Sequence, residues 1–156
     1  MFRKMRRFKQ ELSMEECLSI LNNEKRGVLS LMGDDGYPYA VPLSYVYEDN
    51  CIYFHGAKEG KKIDSIRKNN KASFCIYGDG HKKENSWILD FNSVIVFGTI
   101  DIIEDKEECF DACKKIALHF TDDETYIDDE LKNGINRVAC LRLNIEHISG
   151  KKVKES

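Results

Sequence analysis

The chain has 156 residues, 42% of them hydrophobic, which suits one domain with its own core and leaves disorder to the ends. Its 24 Lys and Arg nearly balance its 27 Asp and Glu, a formal net charge of −3, so bulk charge argues against the clustered basic surface of a nucleic-acid binder. No apolar run approaches a membrane span, and the basic start MFRKMRRFKQEL lacks the apolar stretch of a secretory signal; a cytoplasmic protein with neither nucleic-acid nor membrane partners is expected.

Residues 1–10 read as a solvated arm, available to pack on a partner subunit. Ser13-Met14-Glu15-Glu16 is a capping box, and Cys17, Ile20 and Leu21 then follow at helical spacing until Asn22-Asn23. Val28 to Met32 changes to a strand, and Gly33-Asp34-Asp35-Gly36 carries the Asp-Gly signal of a hairpin. Tyr39 to Tyr47 is the returning strand, with Pro38 and Pro42 pointing to an edge or bulge. Cys51 to Phe54 completes a three-strand meander. Gly60 to Arg67 is helical, with Ile63 and Ile66 inward, and Lys71 to Tyr77 is a fourth strand. After a polar loop, Gly78 to Asn85, comes the β-rich run Ser93 to Ile103, in which Gly98 signals a bulge or a close backbone approach. Lys106 to Phe120 is an amphipathic helix, Thr125 to Lys132 a second, and Val138 to Ile148 the sixth strand; Gly150 to Ser156 is a charged tail. Six antiparallel strands protect their edges most economically by closing into a barrel, so the predicted fold is mainly β, a barrel with flanking helices, spanning residues 1–156 as a single domain.

The cysteines (17, 51, 75, 109, 113 and 140) form no C-x-x-C pair and read as reduced, mostly buried thiols. The four histidines are scattered, so no metal site is expected. The segment His55 to Asp64, HGAKEGKKID, is different. Gly60 opens a helix after a strand, where free amides and the positive end of the helix dipole favour an anion; Lys61 or Lys62 adds a formal charge. The plainer alternative is that both lysines solvate a helix surface. His55 has an intrinsic pKa suited to proton transfer, or else it closes a strand through a hydrogen bond.

This segment, with Arg26-Gly27, Gly36-Tyr37-Pro38-Tyr39, Val41-Pro42-Leu43, Asn69 to Phe74 and Ser93 to Gly98, resembles the pyridoxamine-phosphate-oxidase-like superfamily of flavin-binding split barrels. The 5-nitroimidazole-resistance-type branch is the most similar. The resemblance covers roughly residues 6 to 152 and implies a six-stranded antiparallel split barrel, bound FMN, and a homodimer with the flavin at the interface. It implies that Val41, Pro42, Leu43, Ser44 and Tyr45 meet the isoalloxazine edge through their backbone. It further implies that Gly60, Lys61 and Lys62 grip the phosphate, that Ser93 and Val94 contribute contacts, and that His55 lines the flavin pocket as a candidate catalytic residue. The chain ends SGKKVKES, without the arginine-rich segment of true pyridoxamine-phosphate oxidases, so vitamin B6 oxidation is not expected. The implied activity is an FMN-dependent oxidoreductase acting on small electron-poor compounds, nitroaromatics among them. The alternative is a non-catalytic flavin- or haem-binding or sensing protein, with His55 or His81 as an axial ligand.

Overall fold

In the computed structural model, which describes residues 1–154, helix α1 (Met14–Asn23) starts at the expected capping box. The Ser13 hydroxyl accepts from the Glu16 amide at 3.2 Å, and the Glu16 carboxylate accepts from the Ser13 amide at 2.8 Å. Strands β1 (Arg26–Met32) and β2 (Pro38–Ser44) form the expected hairpin. They are followed by β3 (Val46–Glu48), β4 (Cys51–Ala57), α2 (Lys61–Lys68), β5 (Lys71–Tyr77) and β6 (His81–Lys82). The long β7 (Leu89–Ile103), α3 (Lys106–Leu118), α4 (Glu124–Gly134) and β8 (Val138–Val153) complete the chain. The six expected strands are the six long ones. β3 and β6 are short additions, so the strands number eight rather than six among the described residues.

The antiparallel sheet runs β2-β1-β5-β7-β8-β4-β3, with β6 on β7. Its two ends, β2 and β3, are separated in the chain by Tyr45 alone, so the sheet curls until its ends meet in a split barrel. Residues 39–47 are therefore not one strand, and the expected meander is not formed: β2 pairs with β1, whereas β3 pairs with β4. The break has a local cause. The Tyr45 amide donates to the Lys25 carbonyl, and its fully buried side chain donates to the Leu21 carbonyl at 2.8 Å, drawing the chain out of the ladder.

The main core fills the barrel with Leu29, Ile52, Phe54, Phe74, Ile76 and Leu141, all inaccessible to solvent. Phe74 sits edge-on to both Tyr45 and Phe54, with centroids 5.0 Å apart in each pair. Gly27 lies directly beneath it: a Cβ there would stand 2.5 Å from Phe74 Cζ. The signal at Gly98 corresponds to both features it suggested, since the β7–β8 register shifts after Phe97 and a Cβ on Gly98 would collide with the Asn144 carbonyl. A smaller apolar core lies outside the barrel, where Cys109, Ala112 and Cys113 of α3 meet Cys140 of β8.

Two terminal expectations change. Residues 150–153 are not a free tail but the end of β8, held because the Leu12 amide donates to the Gly150 carbonyl and Glu11 bridges to Lys151. Residues 155–156 lie outside the described residues. The N-terminal arm is likewise docked on its own chain, with Phe2 stacked on His147 at 4.6 Å and on Phe97 at 5.6 Å.

Candidate functional site

The split leaves a seam. β2 pairs only with β1, and the last part of β4, Phe54 to Ala57, pairs only with β8, so each presents an open backbone edge among the described residues. The N-terminus of α2 stands at this seam. Gly60 is its N-cap, with φ +120°, a conformation that side-chain-bearing residues rarely adopt, and no side chain caps the first-turn amides.

The two lysines that follow differ sharply. Lys61 is already committed: its ammonium pairs with Asp35 of the β1–β2 hairpin at 2.6 Å and lies over the Tyr39 ring at 5.2 Å. That contact holds the Asp35 carboxyl below the ordinary range and raises the lysine. Lys62 is half-buried, and none of the ion pairs or hydrogen bonds among the described residues engages it. Its Nζ occupies the space that a side chain on Gly56 would fill, 2.5 Å from where that Cβ would be. Burial lowers its pKa. A cation partly withdrawn from water without a counter-charge is unfavourable by itself and gains most from an incoming anion.

His55 precedes Gly56 on β4. Its ring reaches solvent, yet the protein crowded around it, and next the Lys62 charge, push its pKa below the usual imidazole value. It shares a concavity of about 400 Å³ with Ser44, and the apolar wall comes from Ile116 and Phe120 at the end of α3 and Leu131 of α4. That volume lies within the usual span of small-molecule sites.

Of the expected residues, Ser44 and His55 share this concavity, while Gly60, Lys61 and Lys62 stand at the start of α2 outside its lining, with the Lys62 charge still felt by His55. The β2 residues Val41 and Leu43 turn inward against the core, Pro42 faces out, and their common resource is the open strand edge. Tyr45 and Val94 bury their side chains completely. Ser93 stands apart, beside Lys151 in the β7–β8 ladder, in a second concavity of about 820 Å³ bordered by Phe8, Ile95 and His147. Trp87 is exposed to solvent. In the sequence, Gly56, Asp35 and Phe120 read as parts of a motif, a hairpin and a helix stripe, not as neighbours of the site. Gly56 stands within the singled-out segment, but the other two are linked to the site only by folding.

The profile of the pyridoxamine 5'-phosphate oxidase family matches residues 13–152. The chain belongs to that family. This pyridoxamine 5'-phosphate oxidase family member has no match among curated proteins in sequence. Its fold is similar to that of a candidate 5-nitroimidazole antibiotic resistance protein from Bacteroides thetaiotaomicron: 24% identity, TM-score 0.79, over 92% of this chain and 87% of that one. It is also similar to a FAD-binding protein from Mesorhizobium loti, at 25% identity and TM-score 0.69, over 92% and 97% of the two chains. A FAD- and haem-binding protein from Mycobacterium smegmatis shares 21% identity with TM-score 0.73, over 95% and 74%. The last and the first of these, under 25% identical, establish the split barrel alone. No helix of this family member is long and apolar enough to cross a membrane among the described residues.

Proposed function

We propose that the protein binds FMN at the seam between β2 and β4 and serves as an FMN-dependent oxidoreductase for small electron-poor compounds, nitroaromatics among them. The observation that carries this reading is Lys62: a half-buried ammonium without a protein counter-ion, beside uncapped amides at the start of α2. That donor set fits a phosphate monoester, which brings two negative charges and several acceptor oxygens. Gly60, Lys61 and Lys62 would hold the phosphate, with Lys61 steadied by Asp35. The open edge of β2 from Val41 to Ser44 offers backbone donors and acceptors to a flat heterocycle, and Ile116 and Phe120 offer it an apolar wall.

When bound, the flavin supplies the electron transfer, and no side-chain nucleophile is needed. Burial, and next the Lys62 charge, push the His55 pKa below the usual imidazole value and so favour the neutral ring. It therefore presents one ring N–H and one free ring nitrogen to the concavity, able to orient a substrate or hold a proton at that nitrogen.

The separate position of Ser93 supports a homodimer. The face that carries Ser93 and Lys151 also exposes Ile95 and Phe97, an apolar area that a second copy packed there would cover. The family membership and the FAD named for the Mesorhizobium loti structure support the flavin-binding part of the proposal.

The absorbance spectrum of the protein, purified alone and then mixed with FMN, tests it. Flavin bands that stay with the protein through gel filtration are expected, with extracted cofactor running as FMN rather than FAD. Protein that stays colourless after incubation with FMN, or that carries a haem Soret band instead, would overturn the proposal.

A further inference from the structure

The sulfur atoms of Cys109, Cys113 and Cys140 all lie within 4.8 Å of one another, and all three residues are buried. Cys109 and Cys113 are four residues apart, one helical turn, and so share a face of α3. That face lies over β8, where Cys140 points back: its Sγ is 3.2 Å from that of Cys113 and donates to the Cys109 carbonyl at 3.2 Å. Single buried cysteines are ordinary core residues, packed as small apolar groups. Three sulfurs converging on one point, inside a shell of Tyr53, Ile103, Leu131, Ile135 and Val138, form a ligand set.

We propose that this cluster is a binding site for a thiophilic metal ion, with monovalent copper as its occupant. Soft sulfur ligands select Cu(I), zinc and iron–sulfur clusters over hard cations. Zinc completes a tetrahedron, whereas no fourth His, Cys, Asp or Glu joins these three among the described residues, and the shell is apolar. A trigonal site suits Cu(I). Metal–sulfur bonds of about 2.3 Å set three coplanar sulfurs about 4 Å apart, so the three would adjust by under about 1 Å each way to close on an ion. The approach is open on two sides. Cys113 borders the His55 concavity, and Cys109 borders a second one of about 310 Å³. Lys58, Arg67 and Lys106 outnumber Glu104 on the rim of that second concavity and would offset the thiolate charge. Each thiol that coordinates releases its proton to water while copper stays monovalent, so binding tightens as pH rises. The site does not depend on the flavin reading.

The test is anaerobic titration of the fully reduced chain with Cu(I) against a chromogenic Cu(I) chelator. One tightly held equivalent is expected, weakened at least 100-fold in Cys113→Ser or Cys140→Ser and unchanged in Cys17→Ser or Cys75→Ser. X-ray absorption of the copper-loaded wild type removes any dependence on how the variants fold, and it should show a shell of three sulfurs. Four results would overturn the proposal: no retained copper; equal loss in the Cys17 and Cys75 variants; a shell containing nitrogen or oxygen; or Zn(II) displacing Cu(I) at equal concentration.

Discussion

The barrel interior and the seam that splits it are built on opposite terms. Inside, Phe74, Phe54 and Tyr45 are sealed from solvent, and the one hydroxyl among them has its partner in the Leu21 carbonyl. Along the seam, two strand edges are open, the start of α2 is uncapped, and Lys62 holds a half-buried charge with nothing opposite. The interior is complete as it stands, whereas the seam, on the function proposed above, would be completed by a ligand. Stability and binding should therefore separate cleanly between the two regions.

The largest effect belongs to the interior. Phe74→Ala removes two edge-on ring contacts and opens a cavity above Gly27, and it should cost about 3–5 kcal/mol of unfolding free energy in urea titrations. A loss below about 1 kcal/mol would mean that the rings are not the centre of the core. Tyr45→Phe keeps the ring but strands the Leu21 carbonyl, for an expected loss of about 1–2 kcal/mol with the fold retained. An unchanged midpoint would show that this hydrogen bond does not hold the β2–β3 break.

The smallest stability effect belongs to the seam and depends on pH. The folded chain resists protonating His55, so the unfolded chain binds that proton more readily. The contribution is intact above about pH 6.5 and is lost as pH falls through the unfolded value towards the lower folded one. Comparing unfolding curves of wild type and His55→Gln between pH 7.5 and about pH 5 isolates it, because the variant should lose less stability on acidification. Parallel losses would assign the acid sensitivity elsewhere.

Short-range signals in the sequence carried much of this contrast. The capping box at Ser13, the close approach at Gly98 and the Gly60–Lys62 helix start are each encoded within a few residues, and each stands where local chemistry puts it. What stayed hidden was long-range. The break at Tyr45 depends on a carbonyl 24 residues earlier, and the inequality of Lys61 and Lys62 on an aspartate 26 residues before Lys61. The cysteine cluster needs a thiol 27 residues beyond Cys113, which no spacing rule within one helix would find.

Lys62 is where the account can be broken most directly. FMN and riboflavin should be titrated calorimetrically into wild type and Lys62→Ala, whose unfolding midpoint should match or exceed that of wild type because an unpaired buried charge has been removed. The predicted result is a 10- to 100-fold loss of FMN affinity, about 1.4–2.7 kcal/mol, with riboflavin binding nearly unchanged, since only FMN carries the phosphate. Equal losses for the two ligands, or none for FMN, would contradict the assignment of the phosphate to Lys62.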